Sequence, residues 1–219
     1  MQVHNKTLGL FDYIGNSNNT NSGFEKAIAA QQSNIGNEIR DLQSDFSAAK
    51  VDDTLARIQN ADTSLNLQTL DNMLNFTLLA VSRDLQKTAA GLGIAGQVDI
   101  LQVDGQWQVQ GSKDERALHQ LQNYLDRNKG LQTKLSTINQ LSEMVELGKS
   151  QEYAKQLQEA GVSEPDVVNF LTQAREYLFG LDRFSLSSQN LSFASQGEAE
   201  QLFAQVKQTL GLSDKLDSV

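Results

Sequence analysis

The segment from Val98 to Leu125 constrains the fold of this chain more than any other. It reads VDILQV, then Asp104-Gly105, then QWQV, then Gly-Ser-Lys-Asp-Glu, then an apolar helical run. Asp-Gly supplies the two positive-φ positions that a two-residue hairpin turn needs. Ser112 and Glu115 have the spacing of a capping box, which ties up free N–H groups at a helix start. The stretch therefore predicts a β-hairpin at 98–110 feeding a helix over 113–128. With that turn, Val98, Ile100, Trp107 and Val109 share one face, which places Trp107 in the core rather than on a ligand platform.

Around this scaffold the pattern is mainly helical. From Phe24 onward, Ile28, Gln32, Ile35, Ile39, Leu42 and Phe46 alternate steps of four and three, a narrow a/d-type ridge with one polar residue, Gln32, at a position that can set register. A second helix is expected to start at Asp52 or Asp53 as N-cap and run irregularly to about Ala90. Leu55, Ile58, Leu65, Leu70, Leu74, Leu78 and Val81 form its stripe. Leu67, Met73, Phe76 and Leu79 widen it, so burial on most sides is expected there. Joined near 48–52, the two helices would form a helical hairpin over 24–90.

Beyond the first β-hairpin, helices are expected at 131–148, 151–160 and 164–179. The last starts with Ser163-Glu-Pro-Asp166, where proline loses nothing in the first turn and the acids oppose the helix dipole. A second hairpin is read at 183–194, with Gln189-Asn190 as its turn. Ser195 and Glu198 suggest another capping box before a final helix through Leu210. The runs from Val109 and from Ser195 share the order strand, Gly, acidic turn, amphipathic helix, a diverged repeat or the same capping physics solved twice. The fold class is thus mainly α with minor β: an arm and polar linker at 1–23, the helical hairpin at 24–90, a joint at 91–96, and an α+β domain at 97–219. The arm carries Leu8, Leu10, Phe11, Tyr13 and Ile14, and GNSNNTNSG follows it.

Composition narrows the chemistry. A formal charge of -9 with Lys and Arg scattered singly argues against binding a phosphate backbone, so no nucleic-acid partner is expected. The chain has no Cys and two His, His4 and His119, far apart. Thiolate chemistry and Cys-ligated zinc are thereby excluded, and no HExxH-type spacing is present. No apolar run approaches the roughly 18–20 residues that cross a bilayer, so no membrane insertion is expected. The N-terminus lacks the charged and apolar regions of a cleaved signal. A cytoplasmic place, or export without a cleaved signal, is the expectation.

Four strings suggest reactions and are better read as structure. Gly91-Leu-Gly-Ile-Ala-Gly96 has the dinucleotide-loop spacing, but it follows a helix and precedes a strand, the inverse of the phosphate site, and reads as a helix stop. Ser47-Ala-Ala-Lys50 matches the S-x-x-K string of serine acyl-transferases without the companion motifs. The acid pairs Asp52-Asp53 and Asp114-Glu115 stand at expected helix starts, where solvated acids belong. His119, beside Leu118 and Leu121 on a helix, is expected as a surface or half-buried side chain. No catalytic residue, cofactor or metal ligand is assigned.

Ala61-Asp-Thr-Ser-Leu-Asn-Leu-Gln68, placed inside a long helix, resembles the A-x-x-S-L-x-L-Q stretch of axial proteins of the bacterial flagellum and related type III export systems. Those families are also similar in lacking Cys and being rich in Gln, Asn and Ser. The resemblance implies long helices that pack with neighbouring subunits, and it assigns no residue a role. The function expected is that of a non-enzymatic bacterial assembly or interaction protein, associated with flagellar or secreted surface structures. Its contact surface would be Ile28, Gln32, Ile35, Ile39, Leu42 and Phe46, taking a protein partner or a second copy. The alternatives are a cytoplasmic adaptor or chaperone-like protein, and an enzyme using carboxylates in a cleft.

Overall fold

The computed structural model describes residues 33–42, 44–94, 96–111, 114–178, 181–187, 191–195 and 197–212. The arm and linker at 1–23, Ile28, Gln32, Ser112 and the turn at Gln189-Asn190 lie outside them. Two units divide the chain, Met1–Asp41 and Leu42–Val219. In the first, residues 33–41 are described and are helical, part of a helix here called α1, residues 33–42.

The second unit is mainly helical with a small antiparallel sheet. Its elements are α2 (Ala48–Gln59), α3 (Leu67–Leu92), β1 (Val98–Val103), β2 (Gln106–Gln110), α4 (Glu115–Arg127), α5 (Lys129–Glu159), α6 (Glu164–Tyr177), β3 (Leu181–Leu186), β4 (Leu191–Ser195) and α7 (Ala199–Thr209). Asp104 and Gly105 take φ of 49° and 75°, the positive values the β1–β2 turn requires. The two hairpins join through β1 and β3, giving the order β2-β1-β3-β4, with Ile100 opposite both Val109 and Phe184.

One face of the sheet carries Val98, Ile100, Trp107, Phe184 and Leu186. They pack with Val81, Leu85 and Ala89 of α3, Ala117, Leu121 and Leu125 of α4, and Leu131, Leu135 and Ile138 of α5. Trp107 meets the Phe184 ring at 5.8 Å, and Phe193 meets it edge-on at 5.3 Å. Trp107 is therefore a core residue. On the opposite face Asp99 accepts a hydrogen bond from Ser185 Oγ at 2.6 Å, so alternation along the strands separates apolar from polar as period two demands.

Helix α5 is the spine. Its 31 residues extend roughly 45 Å. Its first turns join the sheet core, its middle packs Leu141, Met144 and Val145 on Leu42, Val51, Leu55 and Leu70, and its end packs Ala154 and Leu157 on Val167, Phe170 and Phe203. Two separate helices were expected here, broken after Gly148. The helix instead runs through, and Gly148 lies inside it where neighbours press close: a Cβ there would meet Leu67 Cδ2 and stand 3.3 Å from Leu55 Cδ2.

The N-terminal helical hairpin takes another form. Helix α2 starts at Ser47, whose side chain accepts from Lys50 N, rather than at Asp52 or Asp53. The expected long second helix breaks at 60–66, where Ala61 has φ 56°, and restarts with Asn66 accepting from Thr69 N at 2.7 Å. ADTSLNLQ thus occupies an interhelical turn and the first residues of α3. Helices α2 and α3 meet through α5. Helix α3 ends as expected in the glycine segment: Gly93 has φ 66°, and Ile94 N donates to Ala89 O.

Two caps also differ. Helix α4 is capped by Asp114, which accepts from Ala117 N at 3.0 Å. Ser195 ends β4, and Glu198 precedes α7 without a side-chain cap bond. The first N–H of α7, that of Ala199, donates instead to Glu146 Oε2 of α5 at 2.7 Å.

Candidate functional site

The apolar ridge read from the sequence divides between the two units. Ile35 and Ile39 lie in the first, each half-buried on α1. Leu42, the first residue of the second, is buried at 3% exposure among Val51, Leu55, Leu70, Leu141, Met144 and Val145, and Phe46 packs half-buried on the same cluster. These two residues face their own chain's core, which narrows the ridge among the described residues to Ile35 and Ile39. The helix expected to continue to Phe46 gives way at 45–47, because Ser47 turns the backbone to cap α2.

In the second unit, α2, α5, α6 and the start of α3 line an open groove of about 610 Å³. Leu55, Ile58, Leu67 and Leu171 supply its apolar wall, and Gln59 Nε2 donates to Gln151 Oε1 at 2.9 Å. Helices α2 and α6 are also clasped by Arg175, whose Nη1 and Nη2 donate to Asp52 Oδ2 and Oδ1 at 3.0 and 2.6 Å. That pairing raises the Arg175 pKa, chiefly through the hydrogen bonds it donates to Asp52. Asp52 is thus a tether between helices rather than a general acid.

Titratable groups cluster along α5. Glu146 holds Lys149 Nζ at 2.8 Å as well as the α7 N–H. Burial opposes the charge on Lys149, but its hydrogen bond to Glu146 prevails and the Lys149 pKa is raised. Burial raises Tyr153, whose ring stacks on Phe203 at 4.3 Å, and burial likewise raises Glu143. The Glu146 bond to Ala199 N and the Tyr153–Phe203 stack hold α7 on α5, and the Glu146–Lys149 pair lies within α5.

The strings that suggest reactions fall on structural duties. Ser47 and Lys50 form a cap, Asp114 is a cap, His119 is exposed on α4, and the glycine string ends α3. Among the described residues no group of three His, Cys, Asp or Glu is placed to hold a metal ion. No described helix is long and apolar enough to cross a membrane.

Burial of α3 differs from expectation at two positions. Phe76 is 75% exposed and Leu79 50% exposed, although the widened stripe predicts burial. The stripe facing the core is narrower, through Leu70, Val81, Leu85 and Ala89, because a single side of α3 packs on α5 and the sheet. Comparison with protein families, curated proteins and solved structures found no match to this chain.

Proposed function

We propose that this chain is a non-enzymatic assembly or interaction protein that docks a partner helix, or the α1 helix of its own copy, on Ile35 and Ile39. The observation that carries this reading is the division of the ridge. Leu42 and Phe46 anchor its end in the compact second unit, whereas Ile35 and Ile39, one turn apart on α1, belong to the separate first unit. Apolar side chains at i and i+4 are the anchors by which an amphipathic helix engages a groove or another helix. A bacterial role beside flagellar or secreted surface structures is part of the proposal and rests on the likeness of Ala61–Gln68 to axial proteins.

The test is the paired variant Ile35→Asp, Ile39→Asp. Light scattering reports self-association, and affinity capture from the native host reports a foreign partner. The variant is expected to lose mass in the first or its captured protein in the second. An unchanged mass together with an unchanged captured set would end this reading.

The groove beside α2 favours a second reading, an adaptor or chaperone that holds another protein's amphipathic segment against Leu55, Ile58, Leu67 and Leu171. Leu171→Asp separates the two: it abolishes capture if the groove holds the partner and leaves capture intact if α1 does.

A further inference from the structure

We propose that the edge of β4 that no described strand pairs with joins antiparallel to β4 of a second copy of this chain about a two-fold axis, so that two four-stranded sheets become one. The surface is distinct from the α1 ridge and does not depend on it.

The two edges of the sheet are treated differently. Helix α4 packs along β2, and its Gln122 takes the place of a neighbouring strand. Val109 N donates to Gln122 Oε1 at 2.9 Å, and Gln122 Nε2 donates to Trp107 O at 3.0 Å. The amide is held in turn by Asp126 Oδ1 at 2.8 Å. Two outward main-chain groups of β2 are thus bonded within the chain, and α4 lies where a further strand would have to pair.

The element order repeats as α3-β1-β2-α4 and α6-β3-β4-α7, so α7 stands in sequence to β4 as α4 stands to β2. It does not take the same place. Phe203 of α7 packs among Leu157, Val167 and Phe170, with Leu202 and Val206 beside it, and its first N–H is drawn to Glu146 of α5. The helix that would cover the β4 edge is held on α5 and α6. Among the described residues, the strand paired with β4 is β3.

Charge selects the occupant. Isologous pairing sets residue i opposite j and j opposite i, so two copies of a strand with a net charge bring like charges within a few residues of each other, which destabilises an antiparallel pair. The chain carries -9 overall, yet Phe184 to Gly197 contains no Asp, Glu, Lys or Arg, and no other run in the chain is free of charge for as long. The devices that usually protect an edge, lysine and proline, are absent from β4. With α4 packed along the β2 edge, a single symmetric pairing uses the one edge that no described element covers, so the assembly stops at a dimer and does not extend into a fibre.

A five-residue strand buries little area, so the dimer is weak and depends on concentration. Sedimentation velocity of the full chain from roughly 10 µM to 1 mM spans the relevant range. The wild-type mass is expected to move toward twice the monomer value. Ser192→Lys, at an exposed position of β4, is expected to remain monomeric with an unchanged circular dichroism spectrum. Ile35→Asp, Ile39→Asp is expected to keep the β4 pairing, with amide protection of residues 192–195 rising with concentration as in the wild type, whatever association through α1 it loses. If Ser192→Lys loses its fold, hydrogen exchange on the wild type decides: protection of the amides of residues 192–195 must rise with concentration. A wild type monomeric throughout, a Ser192→Lys variant that dimerises equally, dimerisation lost only in the α1 variant, or β4 protection independent of concentration would each overturn the proposal.

Discussion

Glu146 shows how one side chain can serve two elements. It lies 12% exposed on α5 and binds both Lys149 and the first N–H of α7, supplying from 53 residues away the cap that Glu198 does not provide. A hydrogen bond to a charged acceptor contributes about 1.5–3 kcal/mol. Glu146→Ala is therefore expected to free the end of α7: amide exchange across residues 199–202 accelerates while exchange in α3 and the sheet is unchanged. Gly197 works at the same junction through absence of a side chain. A Cβ there would stand 2.8 Å from the Tyr177 carbonyl oxygen, a backbone atom that yields only if α6 shifts. Gly197→Ala should lower the unfolding free energy by about 1–3 kcal/mol, measured by urea titration.

At the scale of elements, α5 and α3 each contain a glycine within the helix, with opposite consequences. Gly148 of α5 is buried against Leu67 and Leu55, so the approach of α3 and α2 to α5 depends on a missing side chain. Gly91, in the last turn of α3, has open space around its Cβ position. Gly91→Ala gains helix propensity with no clash and is expected to stabilise by up to about 1 kcal/mol. Gly148→Val forces Leu67 and Leu55 apart and is expected to destabilise. Thermal denaturation of the pair should move the two midpoints in opposite directions. From sequence alone both glycines read as helix ends, and neither is one: α5 runs through Gly148, and α3 stops at Gly93, with its left-handed φ. A glycine that ends a helix and one that admits a neighbour have the same local signature, since the neighbour that distinguishes them is distant in the chain.

For the molecule as a whole, stability should depend on pH through Glu143. Burial raises its pKa above the ordinary 4.5, so the folded protein favours the neutral carboxyl. The stability this group contributes is therefore present below about pH 4.5 and is lost as pH rises through the folded-state value. Glu143→Gln, neutral at every pH, is expected to exceed the wild type in stability at pH 7 and to converge with it in acid. Urea midpoints from pH 4 to pH 7 test the sign; a variant less stable than the wild type at pH 7 would show that the charged form is the favoured one.

What local chemistry decides was open to reading from the chain alone. The Asp104-Gly105 turn, the alternation that buries Val98, Ile100 and Trp107, the stop at Gly93 and the proline-led start of α6 each arise within a few residues, and the mainly helical class with a minor sheet follows from them. Tertiary structure decided the rest. That the two hairpins share a sheet, that Leu42 and Phe46 enter the core while Phe76 stays outside it, that Asp52 reaches Arg175 and Glu146 caps α7 all depend on which residues distant in sequence come together. An apolar stripe announces that something covers it; the identity of the cover is a property of the packed chain.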